Sequence, residues 1–245
     1  MADPKLAIKY PRRQAMRAVL HAGIAAAFAA IMDLKIEGKE NLPATGPLIL
    51  VGNHFAFLDP VAMIHIAPYP LEFLGGLRTP NAPAWTEVFR ILWGTILVRR
   101  GSSSRDALLA AQGVLEQNGV VAVFPEGGSW ATVLRPPRPG TALLAAKTPA
   151  RIVPVGLDGL LDVFPALGRG KRARVTIRIG KAFGPLEKDP KMPLRQHMDD
   201  IGHEMMRRIA ELIPPERRGF YSDDPAIRAA AKGTEVYPWA TVAEG

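Results

Sequence analysis

Two hydrophobic periods divide the chain. Short apolar runs of strand length occur at Leu48–Val51, Leu71–Leu74, Thr95–Val98, Val120–Phe124 and Ile152–Val155. Asp33–Glu40 alternates apolar and polar positions, and in Arg174–Ile179 basic residues alternate with apolar ones, as in strands. Between these runs the period becomes helical. Phe57–Ile66 opens a helix near Asp59-Pro60, and Ala84–Leu92, Ser102–Asn118, Gly140–Lys147 and Leu194–Ile213 follow. The most regular is Ser102–Asn118, where Ala107, Leu108, Ala111, Val114 and Leu115 share a face and Asn118-Gly119 supplies a stop. Pro214-Pro215 ends the last long helix. Strands alternating with helices predict an α/β domain: a largely parallel central sheet flanked by helices. The expected arrangement is a leading helix in 1–33, a central domain in 34–215, and a tail or loosely packed cover in 216–245. Pro154 is expected to break its strand.

The leading segment has a different pattern. Ala18 to Met32 is an uncharged, alanine-rich run behind Lys5, Lys9, Arg12, Arg13 and Arg17. A spanning helix needs about 20 apolar residues, and this run is shorter and contains His21 and Gly23. A secretory signal would share the basic start and apolar body, but the strand-like Asp33–Glu40 follows directly, which argues against cleavage. A helix lying in the membrane interface, its arginines near lipid headgroups, or one packed on the core, fits better.

Composition narrows the chemistry. With 245 residues and 48% hydrophobic content, the chain can bury a substantial core. It has no cysteine, which excludes disulfides, a thiolate nucleophile and cysteine-ligated metal. The five histidines, His21, His54, His65, His197 and His203, are scattered, and no metal site is expected. The net charge is +8, and the window from Arg135 to Lys181 holds ten basic and two acidic residues. Such a concentration suits a polyanion or simply a solvated face. Aromatic residues do not interleave with the cations, so nucleic acid is not an expected partner.

Four segments carry candidate chemistry. In Asn53-His54-Phe55-Ala56-Phe57-Leu58-Asp59-Pro60, a histidine follows a buried-type strand and an aspartate opens a helix. A turn between them can bring carboxylate to imidazole, fixing one tautomer and leaving the other nitrogen to take a proton. A strand-end histidine bonded to backbone, with Asp59 merely capping a helix, is the structural alternative. Gly94 to Gly101 is a strand that delivers Arg99 and Arg100 to a glycine turn, and guanidinium suits phosphate. In Phe124-Pro125-Glu126-Gly127-Gly128-Ser129, a strand runs into a turn whose glycines permit close backbone approach. Ile152-Val153-Pro154-Val155 suits a pocket wall or core packing equally.

In this order the four segments resemble the glycerolipid acyltransferases of the lysophosphatidic acid acyltransferase family. Asn53-His54 through Asp59-Pro60 resembles the family's N-H-x-x-x-x-D-P block, and Gly94–Arg100, Phe124–Gly127 and Val153–Val155 resemble its later blocks. The resemblance covers about residues 34–215 and implies transfer of a fatty acyl group to the hydroxyl of 1-acylglycerol 3-phosphate, giving phosphatidic acid. The donor would be acyl-CoA or acyl-carrier protein, with no bound cofactor. It implies His54 as general base and Asp59 as its orienter. Asn53, Arg100, Glu126 and Gly127 would meet the acceptor. Backbone amides near Gly127 and Gly128 would face the oxyanion. An anionic lipid and the cytoplasmic face of a membrane are the implied surroundings. Ser129 stands where relatives often carry a phosphate-binding arginine, and Arg135 or Arg138 is expected to substitute. The same chemistry on another lipid or glycolipid acceptor, and a non-enzymatic anionic-lipid-binding protein, are the alternatives.

Overall fold

The structure, a computed structural model, describes residues 8–76, 85–98, 103–129, 131–186 and 191–234. Among these, seven strands form one sheet: β1 (Met32–Glu37), β2 (Leu48–Gly52), β3 (Glu72–Gly76), β4 (Ile96–Val98), β5 (Val120–Val123), β6 (Arg151–Asp158) and β7 (Ala173–Ile179). Their spatial order is β1-β7-β6-β2-β5-β3-β4. The run β6-β2-β5-β3-β4 is parallel throughout. β7 turns back antiparallel to β6, and β1 lies parallel to β7. The sheet is therefore mostly parallel, with a reversed pair at one edge.

β2 is buried on both sides, as a near-continuous apolar run in a parallel sheet should be. Leu48 and Leu50 face the layer made by α1 (Gln14–Ile31), α2 (Asp59–Ile66), α3 (Trp85–Trp93) and α6 (Val163–Leu167). Ile49 and Val51 face α4 (Ser103–Glu116), α5 (Pro139–Ala146) and α7 (Leu194–Leu212). Strand periodicity thus separates two cores, one on each face. A short α8 (Pro225–Ala230) follows. The parallel crossovers bring the carboxyl ends of β2, β5 and β6 together, where open α/β sheets place their ligands.

Two expectations need correction. Pro154 does not break its strand: β6 runs unbroken from Arg151 to Asp158. The Pro154 carbonyl accepts from the Gly180 N–H, on the β7 side. Its ring nitrogen faces that same side, just beyond the antiparallel ladder that starts at Val155, so the ladder to β2 loses no donor.

The second concerns the cationic start of α1. Arg17 is buried and grips both oxygens of the fully buried Glu72 at 2.7 and 2.8 Å. Its Nε–H donates to the Trp93 carbonyl, and its guanidinium lies 5.0 Å from the Trp93 ring centre. Arg12 adds a bond to Glu72 at 2.8 Å, and Arg13 donates to the Leu92 carbonyl. These arginines face protein, because a buried carboxylate and helix-end carbonyls need their charge more than water does. The helix they anchor keeps an exposed apolar outer side that includes Met16 and Val19.

Candidate active site

The site begins where β2 stops. Three residues past Val51 the chain turns, and the turn closes on the first residue of α2. One oxygen of Asp59 accepts the N–H groups of Phe55 and Ala56, both at 2.7 Å. The same oxygen takes the His54 Nδ1–H at 2.9 Å. Pro60 follows at the helix start, where a missing N–H costs nothing. The spacing of five residues therefore produces a loop wrapped around one carboxylate. Asp59 is 1% exposed, while the His54 side chain keeps 12% of its surface open. Phe124, at the end of β5, stacks under the imidazole at 4.2 Å between ring centres. Burial pushes the Asp59 carboxyl above its ordinary pKa, and the hydrogen bond and charge of His54 pull it back. With Nδ1–H pinned on Asp59, Nε2 is left as the nitrogen that can accept a proton.

A second carboxylate holds the same loop from behind. Glu126 Oε1 accepts the backbone N–H of His54 at 2.8 Å. Its Oε2 accepts the Arg135 backbone N–H and Nε–H, each at 3.2 Å. Arg135 also donates to the Gly128 carbonyl. Both side chains are buried to 1% exposure, and burial lifts the Glu126 carboxyl to about 7 despite the opposing Arg135 charge. The Arg135 loop is itself strapped down. Leu134 exchanges backbone bonds with Arg217 and Phe220. Gly219 lies so close that a Cβ there would stand 2.3 Å from the Leu134 carbonyl oxygen. His203 of α7 and Tyr221 share a hydrogen bond at 2.8 Å.

Asn53 secures the third strand. Its Nδ2 donates to the Leu157 carbonyl and its Oδ1 accepts the Leu157 N–H, both at 2.8 Å. Amide and backbone thus form a reciprocal pair between the ends of β2 and β6. At Gly127 the backbone is left-handed, with φ of 78°. A side chain there would also press on Arg138, whose Cγ lies 3.0 Å from the Cβ position. The Gly127 N–H donates to the Phe124 carbonyl, and the Arg138 N–H closes the turn onto Pro125.

Asn53, His54, Asp59, Glu126, Gly127, Arg135 and Arg138 are therefore gathered within one set of loops, while Arg100 lies outside the described residues. Their placement alters several expected roles. Asn53, Glu126 and Arg135 were expected to meet an acceptor, but each spends its polar groups on neighbouring chain. Gly127 cannot offer its N–H to an oxyanion, because that donor is already engaged. Arg138 is the one of the two expected loop arginines that is exposed beside the turn. Phe124 as a shelf for the imidazole has no signature in the sequence. The tail or loosely packed cover expected over 216–245 is, at 217–221, a strap bonded to the Arg135 loop, and the aromatic pair Phe220-Tyr221 in a polar stretch is its sequence signal. Among the described residues, no group of three or more histidines and carboxylates could hold a metal ion.

A family model described as Acyltransferase matches residues 33–158, which include the His54 loop and the Glu126 turn. The chain is 28% identical over 228 residues to a 1-acyl-sn-glycerol-3-phosphate acyltransferase of Chlamydomonas reinhardtii, covering 89% of this chain and 64% of that protein. It is 30% identical over 135 residues to a 1-acyl-sn-glycerol-3-phosphate acyltransferase of Borreliella burgdorferi, covering 53% of this chain and 52% of that protein. The matched chain thus spans just under two thirds of the first relative and about half of the second. The crystal structure of the 1-acyl-sn-glycerophosphate (LPA) acyltransferase PlsC from Thermotoga maritima superposes with a TM-score of 0.55 at 18% identity, over 82% of this chain and 83% of that one. That likeness is one of fold.

Proposed function

The chain belongs to the Acyltransferase family, and we propose that it moves a fatty acyl group from a thioester, acyl-CoA or acyl-carrier protein, to the hydroxyl of 1-acylglycerol 3-phosphate at a membrane surface. The observation that carries this reading is the imidazole of His54, pinned through Nδ1 to the buried Asp59 with part of its ring open. Nε2 takes the proton of the acceptor hydroxyl as its oxygen attacks the thioester carbonyl carbon. The tetrahedral oxyanion collapses, the carbon–sulfur bond breaks, and the thiolate recovers the proton from the imidazolium. Asp59 stabilises that imidazolium without giving up its own charge. The carrier's thiol and phosphatidic acid leave. Glu126 and Asn53 hold the loop that carries His54, and Arg138, exposed beside the glycine turn, takes the acceptor phosphate.

A second acceptor has one specific observation in its favour. Ser129 stands where an arginine is common, and Arg135 is committed to Glu126, so fewer cations reach a phosphate there. Thiol release measured across lysophosphatidic acid, other lysolipids and glycolipid hydroxyls, with both donors, decides between them. The proposal expects lysophosphatidic acid to be the preferred acceptor, and Arg138→Ala to raise its KM about tenfold while changing kcat little. Equal turnover of uncharged acceptors by both proteins overturns the assignment of the acceptor.

A further inference from the structure

The arginines at the start of α1 are held by protein partners. Another group of cations lies at the other end of that helix. β7 runs antiparallel to β6, with Asp158 opposite Thr176 and Val155 opposite Ile179. The beginning of β7 therefore lies at the same edge of the sheet as the end of β6, and hence as the end of β2 and the His54 loop. β1 starts alongside it, Met32 opposite Ala173. The connection entering β7 is α6 followed by a glycine turn, Gly168 to Arg172. From 162 to 174 this stretch has four basic residues, Arg169, Lys171, Arg172 and Arg174, and a single acid, Asp162. All four cations are exposed. Among the described residues, Arg172 is the one of the four whose side chain leans on another element, donating to the Met32 carbonyl and pairing with the exposed Asp33.

Beside the cations, α6 exposes large apolar side chains. Phe164 is 44% and Leu167 36% open to solvent. Val163 and Ala166 of the same short helix are buried in the core, so the outward residues are held on a fixed support. Phe164 stacks on Phe57 at 5.3 Å, and Phe57 lies between His54 and Asp59 in sequence. The Arg172 bond to Met32 ties the turn to the end of α1, where Ala29 and Ala30 are exposed.

We propose that α6 and the turn to β7 form a membrane-docking tip: Phe164 and Leu167 enter the headgroup layer of an anionic bilayer, with Arg169 and Lys171 on the lipid phosphates. Apolar groups ringed by cations match a surface that is negative outside and greasy beneath. The Phe164–Phe57 contact places this tip next to the loop that would receive a lipid acceptor. The inference rests on the reading of the acceptor as a membrane lipid, but concerns where the protein touches the bilayer.

Co-sedimentation of the full chain with vesicles tests it. One set is phosphatidylcholine alone, and the other contains about one third phosphatidylglycerol. Arg169→Glu/Lys171→Glu is expected to weaken binding to the anionic set about tenfold or more. Lys147→Glu/Lys181→Glu makes the same change of charge at the opposite edge of the sheet and should weaken it less than about twofold. Leu167→Ser should weaken binding to both sets. Acyl transfer to detergent-dispersed acceptor should be unchanged in Arg169→Glu/Lys171→Glu. Equal losses in the two charge-reversed proteins, or none in either, overturn the tip. Tip-dependent binding by a protein that transfers no acyl group upholds the surface and overturns the function proposed above.

Discussion

Two buried carboxylates lie on either side of His54, and they do different work. Asp59 and Glu126 are equally inaccessible, and each accepts at least two N–H groups from the chain. They differ in the side chain opposite. Asp59 faces an imidazole at 2.9 Å, which can exchange a proton at its far nitrogen. Glu126 faces a guanidinium at 3.2 Å, which stays charged and has no proton to trade. The first pair is left partly open on the imidazole side, and the second is sealed on both. Burial and pairing alone therefore do not identify the reacting groups. In the function proposed here, the partner's chemistry and its access to solvent set the two apart.

The sharpest way to break this comparison is to remove each pair in turn. His54→Ala should lower kcat for acyl transfer by about 10⁴-fold, and Asp59→Asn by about 10³-fold, since asparagine can still accept the loop amides but no longer stabilises the imidazolium. Urea midpoints of His54→Ala should stay near those of the parent, because Asp59 keeps the N–H groups of Phe55 and Ala56 and the imidazole is the less buried member of the pair. Retained turnover in His54→Ala would remove it as the base. Arg135→Met should behave in the opposite sense, costing about 3–5 kcal/mol of stability by stranding Glu126. Adding Glu126→Gln should recover most of that loss, since no charge is then left buried. If the double variant is no more stable than the single one, the pair is not the scaffold it is taken to be.

A smaller effect is expected at Asn53. Replacing it with alanine strands the Leu157 N–H and C=O at the junction of β2 and β6, for roughly 1–3 kcal/mol, with a kcat loss that follows from displacement of His54. Its urea midpoint and its turnover at low temperature separate the two consequences.

The sequence disclosed the fold because each element repeats its own period. The apolar runs gave the strands within a residue or two, except that β6 continues three residues past Val155, and Ala107 to Leu115 gave the face of α4. It disclosed the contact between His54 and Asp59 because a five-residue spacing across a strand-to-helix turn is itself geometric. It misjudged Arg135, because a cation in a proline-rich loop reads as surface unless one knows that residues 217–221 fold over it. It misjudged Arg17 likewise. Its partner, Glu72, opens a strand 55 residues away, and no local pattern links the two. Pairings between distant charges depend on topology, and local periodicity does not encode them. Pro154 failed as a strand breaker for a related reason: which side of a strand carries a ladder is a property of its neighbours.

An effect of similar size separates the carboxylates by pH. Burial raises the Glu126 pKa from the ordinary 4.5 to about 7 in the folded chain. The folded state then binds a proton more tightly than the unfolded state does. The stability this contributes is fully present below about 4.5 and is lost as pH rises through about 7, a change of at most roughly 3 kcal/mol. Urea midpoints of the parent protein should therefore fall across that window relative to those of Glu126→Gln, which has no proton to lose. Removing the opposing charge with Arg135→Met should move the fall to higher pH, because only desolvation then acts on the carboxyl. Parallel pH profiles for the parent and Glu126→Gln would mean that Arg135 fully offsets burial at Glu126, making it an ordinary carboxylate in a permanent ion pair. The distinction from Asp59 would then rest on the identity of the partner alone.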